Sequence, residues 1–130
     1  MIQILIVDDE EPIRALLRHI FEILRPAYQV QTTADGLTGL QQLQRRPFEL
    51  VIADYQMPEM TGLELAEQIR QQWPGTPVLI MSGRPPSDLV IRLQQLGAAG
   101  YLKKPFTPHQ LLNAVDQTLG QVKATETRAL

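Results

Sequence analysis

The sequence predicts an α/β domain, a doubly wound, five-stranded parallel sheet with helices on both faces. Three observations lead there. Short apolar runs alternate along the chain with segments of helical period. Those runs are apolar throughout, as strands covered on both faces must be, rather than at every second residue. The chain has 130 residues, about the size of one domain, and no repeat or linker divides it. The expected layout is a domain over residues 1–120 and a polar C-terminal tail over 121–130.

The first strand, Ile2 to Val7, is rich in β-branched residues and stops at Asp8-Asp9. A helix is predicted over Glu11 to Leu24. Ile13, Leu16, Leu17, Ile20, Phe21 and Leu24 recur at i, i+3, i+4, i+7, i+8 and i+11, which makes one apolar face. Pro12 suits a first helical turn, where its missing N–H costs nothing, and Glu10 and Glu11 complement the positive end of the helix dipole. Pro26 closes that helix, Tyr28 to Thr32 reads as a second strand, and Asp35 to Leu43 as a helix carrying Leu37, Leu40 and Leu43. Pro47 separates it from a third strand, Glu49 to Ala53, which ends at Asp54. After a loop with Pro58 and Gly62 comes a helix with Leu65, Ala66, Ile69 and Trp73, terminated by Pro74-Gly75. Val78 to Met81 is the fourth strand, ending at Ser82-Gly83. Ser87 is placed to cap a fourth helix with Leu89, Val90, Leu93 and Leu96, which stops at Gly97. Gly100 to Leu102 is a brief fifth strand before Lys104-Pro105, and a last helix uses Leu111, Leu112, Val115 and Leu119. Right-handed crossovers and fold precedent make the strand order 2-1-3-4-5, the flavodoxin-like arrangement.

Composition excludes several classes. A hydrophobic share of 44% supports a core, and a net charge of −2 argues against direct nucleic-acid binding, which needs a basic stripe. Without cysteine there is neither a disulfide nor a thiolate metal site. The N-terminus lacks the basic lead and apolar stretch of a signal peptide, and no apolar run approaches the roughly 20 residues that span a bilayer. A soluble, cytoplasmic location without membrane insertion is expected.

In such sheets ligands bind outside the carboxyl ends of the strands. Reading only those ends collects Asp8-Asp9, Asp54, Ser82-Gly83 and Lys104, which are scattered in sequence but converge on one edge. Three carboxylates there repel one another, by about 4 kcal/mol per pair at about 4 Å and an effective dielectric of 20. Lys104 alone cannot balance them. A hard divalent cation can, and oxygen ligands that leave several waters in place suit Mg²⁺, with Mn²⁺ as the alternative. Screened in this way, Asp54 can act as a nucleophile toward a phosphoryl group. Lys104 and the Ser82 hydroxyl would hold the transferred oxygens, and Gly83, lacking a Cβ, is expected to leave room beside Asp54.

The stretches Ile4-Leu5-Ile6-Val7-Asp8-Asp9-Glu10, Asp54-Tyr55-Gln56-Met57-Pro58 with Gly62, Met81-Ser82-Gly83 and Gly100-Tyr101-Leu102-Lys103-Lys104-Pro105-Phe106 together resemble the receiver domain of two-component response regulators. The resemblance covers Met1 to Leu119. It implies that Asp54 takes a phosphoryl group from a histidine kinase or a histidine phosphotransfer protein. It implies Mg²⁺ ligation by the Asp9 and Asp54 side chains, by Asp8 mainly through water and by the Gln56 backbone carbonyl. Ser82 and Tyr101 would be a switch pair, the Lys104-Pro105 peptide would be cis, and Gln56 and Arg84 would flank the phosphoryl group and tune its lifetime. A downstream protein partner would read the face of the fourth helix, fifth strand and fifth helix.

Taken singly, each motif has a plainer explanation: a helix-capping acid pair, a turn-forming aspartate, a Ser-Gly turn, a surface lysine, a packing tyrosine. Their joint occurrence at successive strand ends is what carries the reading. His19 and His109 fall on helices away from the cleft, and Arg45-Arg46 reads as a solvated pair. An aspartate-nucleophile phosphohydrolase of the haloacid dehalogenase type needs an acid two residues after the nucleophile, where this chain has Gln56. An FMN carrier needs a phosphate loop of Ser, Thr and Gly after the first strand, where this chain has Asp8-Asp9-Glu10-Glu11. A degenerate receiver acting only as a scaffold would usually lack one of the acids or the lysine, and all are present.

Overall fold

The structure, a computed structural model, describes residues 1–96 and 99–129, with the backbone alone for Ala99 and 121–129. Strands and helices alternate: β1 (Gln3–Val7), α1 (Glu11–Leu24), β2 (Gln29–Thr33), α2 (Gly36–Arg45), β3 (Leu50–Asp54), α3 (Gly62–Gln72), β4 (Val78–Ser82), α4 (Leu89–Leu96), β5 (Ala99–Lys103) and α5 (Pro108–Ala129). All neighbouring strands run parallel in the order β2-β1-β3-β4-β5, as the sequence predicts.

The apolar runs sort residue by residue onto the two faces, because successive side chains of a strand point to opposite sides. Leu5 and Val7 of β1, Val51 and Ala53 of β3, and Val78 and Ile80 of β4 meet Leu40 and Leu43 of α2, Leu65 and Ile69 of α3, and Leu93 of α4. The alternate set, Ile4, Ile6, Leu50, Ile52, Leu79 and Met81, meets Leu17, Ile20 and Phe21 of α1 with Leu111, Leu112 and Val115 of α5. This double cover is why the three central strands carry almost no polar residue before their last position.

Local signals place the helix starts. The Asp35 side chain accepts from the Thr38 N–H at 2.7 Å. Thr61 and Glu64 form a reciprocal capping box at the start of α3, and Thr107 and Gln110 exchange the same pair of bonds before α5.

The cap expected for α4 needs correction. Ser87 is exposed and sits in a turn. The residue before α4 is Asp88, whose carbonyl accepts from the Arg92 N–H at 3.0 Å. The stop assigned to Gly97 lies outside the described residues. The segment expected as a polar tail continues the backbone of α5 to Ala129, since no proline interrupts its helix-forming residues, and Leu130 lies outside the described residues. Leu16, Leu24, Leu37 and Val90 share the apolar period yet are exposed, because the sheet covers only the centre of each helix stripe. Among the described residues no helix is long and apolar enough to cross a membrane.

Candidate functional site

The site is built at the carboxyl edge of β1, β3, β4 and β5. Asp8 follows β1 directly, Asp54 and Ser82 are the last residues of β3 and β4, and Lys104 follows β5. Parallel register brings these ends level, with Asp54 opposite Met81 and Ser82 opposite Lys103.

Asp8 is fully buried. Its N–H donates to the Thr33 carbonyl at 3.1 Å, its Oδ1 accepts from the Glu10 N–H at 2.8 Å, and its carbonyl accepts from Arg14 Nη1 at 2.6 Å. Its Oδ2 has no hydrogen-bond partner. The nearest cation is Lys104 Nζ at 3.6 Å, too far for a hydrogen bond. Asp54 is buried too, and its Oδ1 lies 3.1 Å from Lys104 Nζ. Asp9 is exposed at the mouth. One carboxylate oxygen from each of Asp8, Asp9 and Asp54 lies within 4.8 Å of the others.

Burial pushes the Asp8 carboxyl above the usual carboxylate range, against the Glu10 N–H and the Lys104 charge, while Asp54 and Asp9 push the same way as burial. Asp54 is raised by burial as well, opposed by its Lys104 hydrogen bond and helped by the charges of Asp9 and Glu10. Burial works against the Lys104 ammonium, but the Asp54 hydrogen bond and the charges of Asp54, Asp8 and Glu10 prevail and raise it. The lysine is thus held charged while two acids beside it stay short of positive charge. An orphaned buried carboxylate oxygen and all-oxygen donors fit a hard divalent cation.

Tyr101 is half-buried, and its hydroxyl donates to the Ser82 carbonyl at 3.0 Å; burial raises its phenol. The same carbonyl accepts from the Lys104 N–H at 2.9 Å, so β4 and the tyrosine are joined through the backbone of the buried Ser82. The Lys104-Pro105 peptide is cis. Gln56 and Arg84, two residues beyond Asp54 and Ser82, are exposed, as are His19 and His109.

Gly83 is the glycine expected to leave room beside Asp54. It is exposed, and a Cβ there would meet only Lys104 atoms at 3.6 Å, an ordinary contact. The glycine that the backbone does require is Gly62, where a Cβ would sit 2.5 Å from the Asp54 carbonyl oxygen. The Gly62 N–H donates to the Tyr55 carbonyl at 2.9 Å, which ties the start of α3 to the loop after β3. Sequence reasoning also passed over Arg14 and the Glu10 N–H. Arg14 stands one helical turn after Glu10, but periodicity was informative only for apolar positions.

The fold and cleft together define a doubly wound domain that gathers three carboxylates and one lysine at its strand ends. The chain belongs to the response regulator receiver domain family, whose pattern it matches over residues 4–116. Over 110 residues it is 36% identical to the alkaline phosphatase synthesis transcriptional regulatory protein PhoP of Bacillus subtilis, covering 84% of this chain and 45% of that protein. Over 125 residues it is 31% identical to the hybrid signal transduction histidine kinase D of Dictyostelium discoideum, covering 95% of this chain and 8% of the kinase. It therefore spans less than half the length of these curated relatives. Among solved structures, the Vibrio cholerae chemotaxis protein CheY4 superposes with a TM-score of 0.83 at 33% identity, covering 91% of this chain and 98% of that one. The chain thus carries a receiver domain of two-component signalling, a phosphoacceptor switch.

Proposed function

We propose that Asp54 is the acceptor, that the reaction requires Mg²⁺, and that the donor is a histidine kinase or a histidine phosphotransfer protein. The observation that carries this reading is the buried Asp8 Oδ2 without a hydrogen-bond partner, grouped with oxygens of Asp9 and Asp54. Asp9 and Asp54 would hold the ion by side chain, Asp8 mainly through water and Gln56 through its carbonyl. When bound, the ion neutralises the cluster and the incoming phosphoryl oxygens.

An Asp54 carboxylate oxygen forms the new bond to phosphorus as the donor's P–N bond breaks, its electron pair returning to the imidazole nitrogen. Lys104, within 3.1 Å of Asp54, and the Ser82 hydroxyl hold the equatorial oxygens. An apolar recess of about 440 Å³, lined by Ile13, Leu16, Gly83, Lys104, Pro105 and Phe106, adjoins the lysine and suits apolar side chains of a docking donor. Gln56 and Arg84 then tune the lifetime of the product, and the domain turns over nothing but its own aspartyl phosphate. In this reading residues 1–120 form the switch unit and act in the cytoplasm. A downstream partner docks on the α4, β5 and α5 face, where Val90 and Ile91 are already exposed.

The test is intact mass after incubation with Mg²⁺ and acetyl phosphate, comparing the wild type with Asp54→Asn. A phosphoryl adduct that needs the metal and disappears in the variant is expected. No adduct from acetyl phosphate or from a phosphohistidine donor, in a folded protein, would overturn the assignment in favour of a scaffold.

A further inference from the structure

We propose that Arg14 is a positioning residue that holds the Asp8–Asp9 turn in its cation-binding geometry. The inference rests on the phosphoacceptor reading and deepens it. Arg14 stands among Asp8, Asp9, Glu10 and Glu11, yet it makes none of the ion pairs found among the described residues. Its guanidinium donates instead to a neutral group, the Asp8 carbonyl, at 2.6 Å. A hydrogen bond from an ionised donor is about twice as strong as a neutral one.

That carbonyl belongs to the planar peptide joining Asp8 to Asp9. Fixing its oxygen fixes the plane, and with it the position of the Asp9 Cα from which that side chain departs. The Thr33 carbonyl and the Glu10 N–H hold Asp8 on its other sides. Arg14 supplies the remaining contact, the one from a side chain of α1. With all three made, Asp8 Oδ2 is the polar atom of the residue left for a cation.

Positioning and simple charge predict opposite signs. If Arg14 acted only as a positive charge near the cleft, removing it would tighten divalent-cation binding. If it orients the ligands, removing it weakens binding, and loss of a partner that orients a metal's ligands typically costs about 10–100-fold.

The experiment is a Mn²⁺ titration of the unphosphorylated protein, followed by the electron paramagnetic resonance of free Mn²⁺. Arg14→Met keeps the alkyl stem and removes the donor, and a rise in Kd of about tenfold is expected. Arg14→Lys should fall between the variant and the wild type. Arg18→Met, one turn along α1 where the guanidinium bonds Thr32 Oγ1 at 2.8 Å, should leave Kd unchanged. Wild-type or tighter Kd in folded Arg14→Met overturns the inference. Arg14→Gln, too short to reach the carbonyl, decides in the same way if Arg14→Met does not fold. A wild type that neither binds Mn²⁺ nor forms an adduct sinks the phosphoacceptor reading itself. A wild type that does both beside an indifferent Arg14→Met sinks only the role of Arg14.

Discussion

Gly62→Ala sets two effects of known size against each other. Alanine is the better helix former by about 1 kcal/mol, and Gly62 begins α3. By propensity alone the substitution should stabilise. The added Cβ, however, would lie 2.5 Å from the Asp54 carbonyl oxygen, 3.0 Å from its carbon and 3.1 Å from Tyr55 Cα. All three are backbone atoms of the end of β3 and the loop after it, so no side chain can swing aside. The chains must part by several tenths of an ångström, which strains the bond from the Gly62 N–H to the Tyr55 carbonyl. Overpacking costs about 1–3 kcal/mol, and an immovable neighbour puts this site at the upper end. Subtracting the propensity gain leaves a loss of about 2 kcal/mol. For a domain of this size that lowers the thermal midpoint by about 8 °C. Urea unfolding should show a lower midpoint with an unchanged slope. Gly75→Ala is the control, since nothing lies within 4 Å of a Cβ there, and it should be neutral or stabilising by up to about 1 kcal/mol. A Gly62→Ala protein as stable as the wild type would refute the close approach as the reason for glycine.

Other consequences follow from the cleft. Lys104→Met should retain Mn²⁺ binding yet slow adduct formation from acetyl phosphate by about 10²–10³, as measured by intact mass against time; an unchanged rate would remove the lysine from phosphoryl stabilisation. The raised carboxyls of Asp8 and Asp54 make the cation-free fold bind their protons more tightly than the unfolded chain does. Their contribution to stability is complete below the ordinary carboxylate value of about 3.9 and is lost as pH rises through the raised folded values. Asp54→Asn should therefore gain on the wild type in thermal midpoint across that window without metal; parallel midpoints from acid to neutral pH would contradict the burial argument. Mg²⁺ stabilisation should run the other way, fading on acidification as its ligands protonate. Finally, a beryllofluoride mimic of the aspartyl phosphate should change amide exchange over residues 87–119, through the Ser82–Tyr101 connection; no change would sever the cleft from the α4, β5 and α5 face.

Element order, strand direction and the membership of the cleft could be read from residues 1–119 because each depends on local pattern. A strand covered on both faces has to be apolar along its length, and its first charged residue then marks the carboxyl end, as at Asp8 and Asp54. The rule that ligands of such sheets bind beyond the carboxyl ends of the strands then groups Asp8, Asp9 and Asp54 with the polar residues after the other strands, Ser82 and Lys104. Family membership followed from four such stretches occurring in order.

Tertiary packing decided what depends on distances across elements. Gly83 and Gly62 look alike as loop glycines, and only the approach of α3 to the Asp54 carbonyl separates them. Leu16 and Leu17 both fit the helical period of α1, but only Leu17 reaches the sheet, so Leu16 is free to border the recess beside Lys104. Arg14 has no apolar period to mark it, and its bond to the Asp8 carbonyl exists only because α1 packs back over the end of β1. A pattern of side chains encodes which face is buried; which atoms meet there is set by how the faces come together.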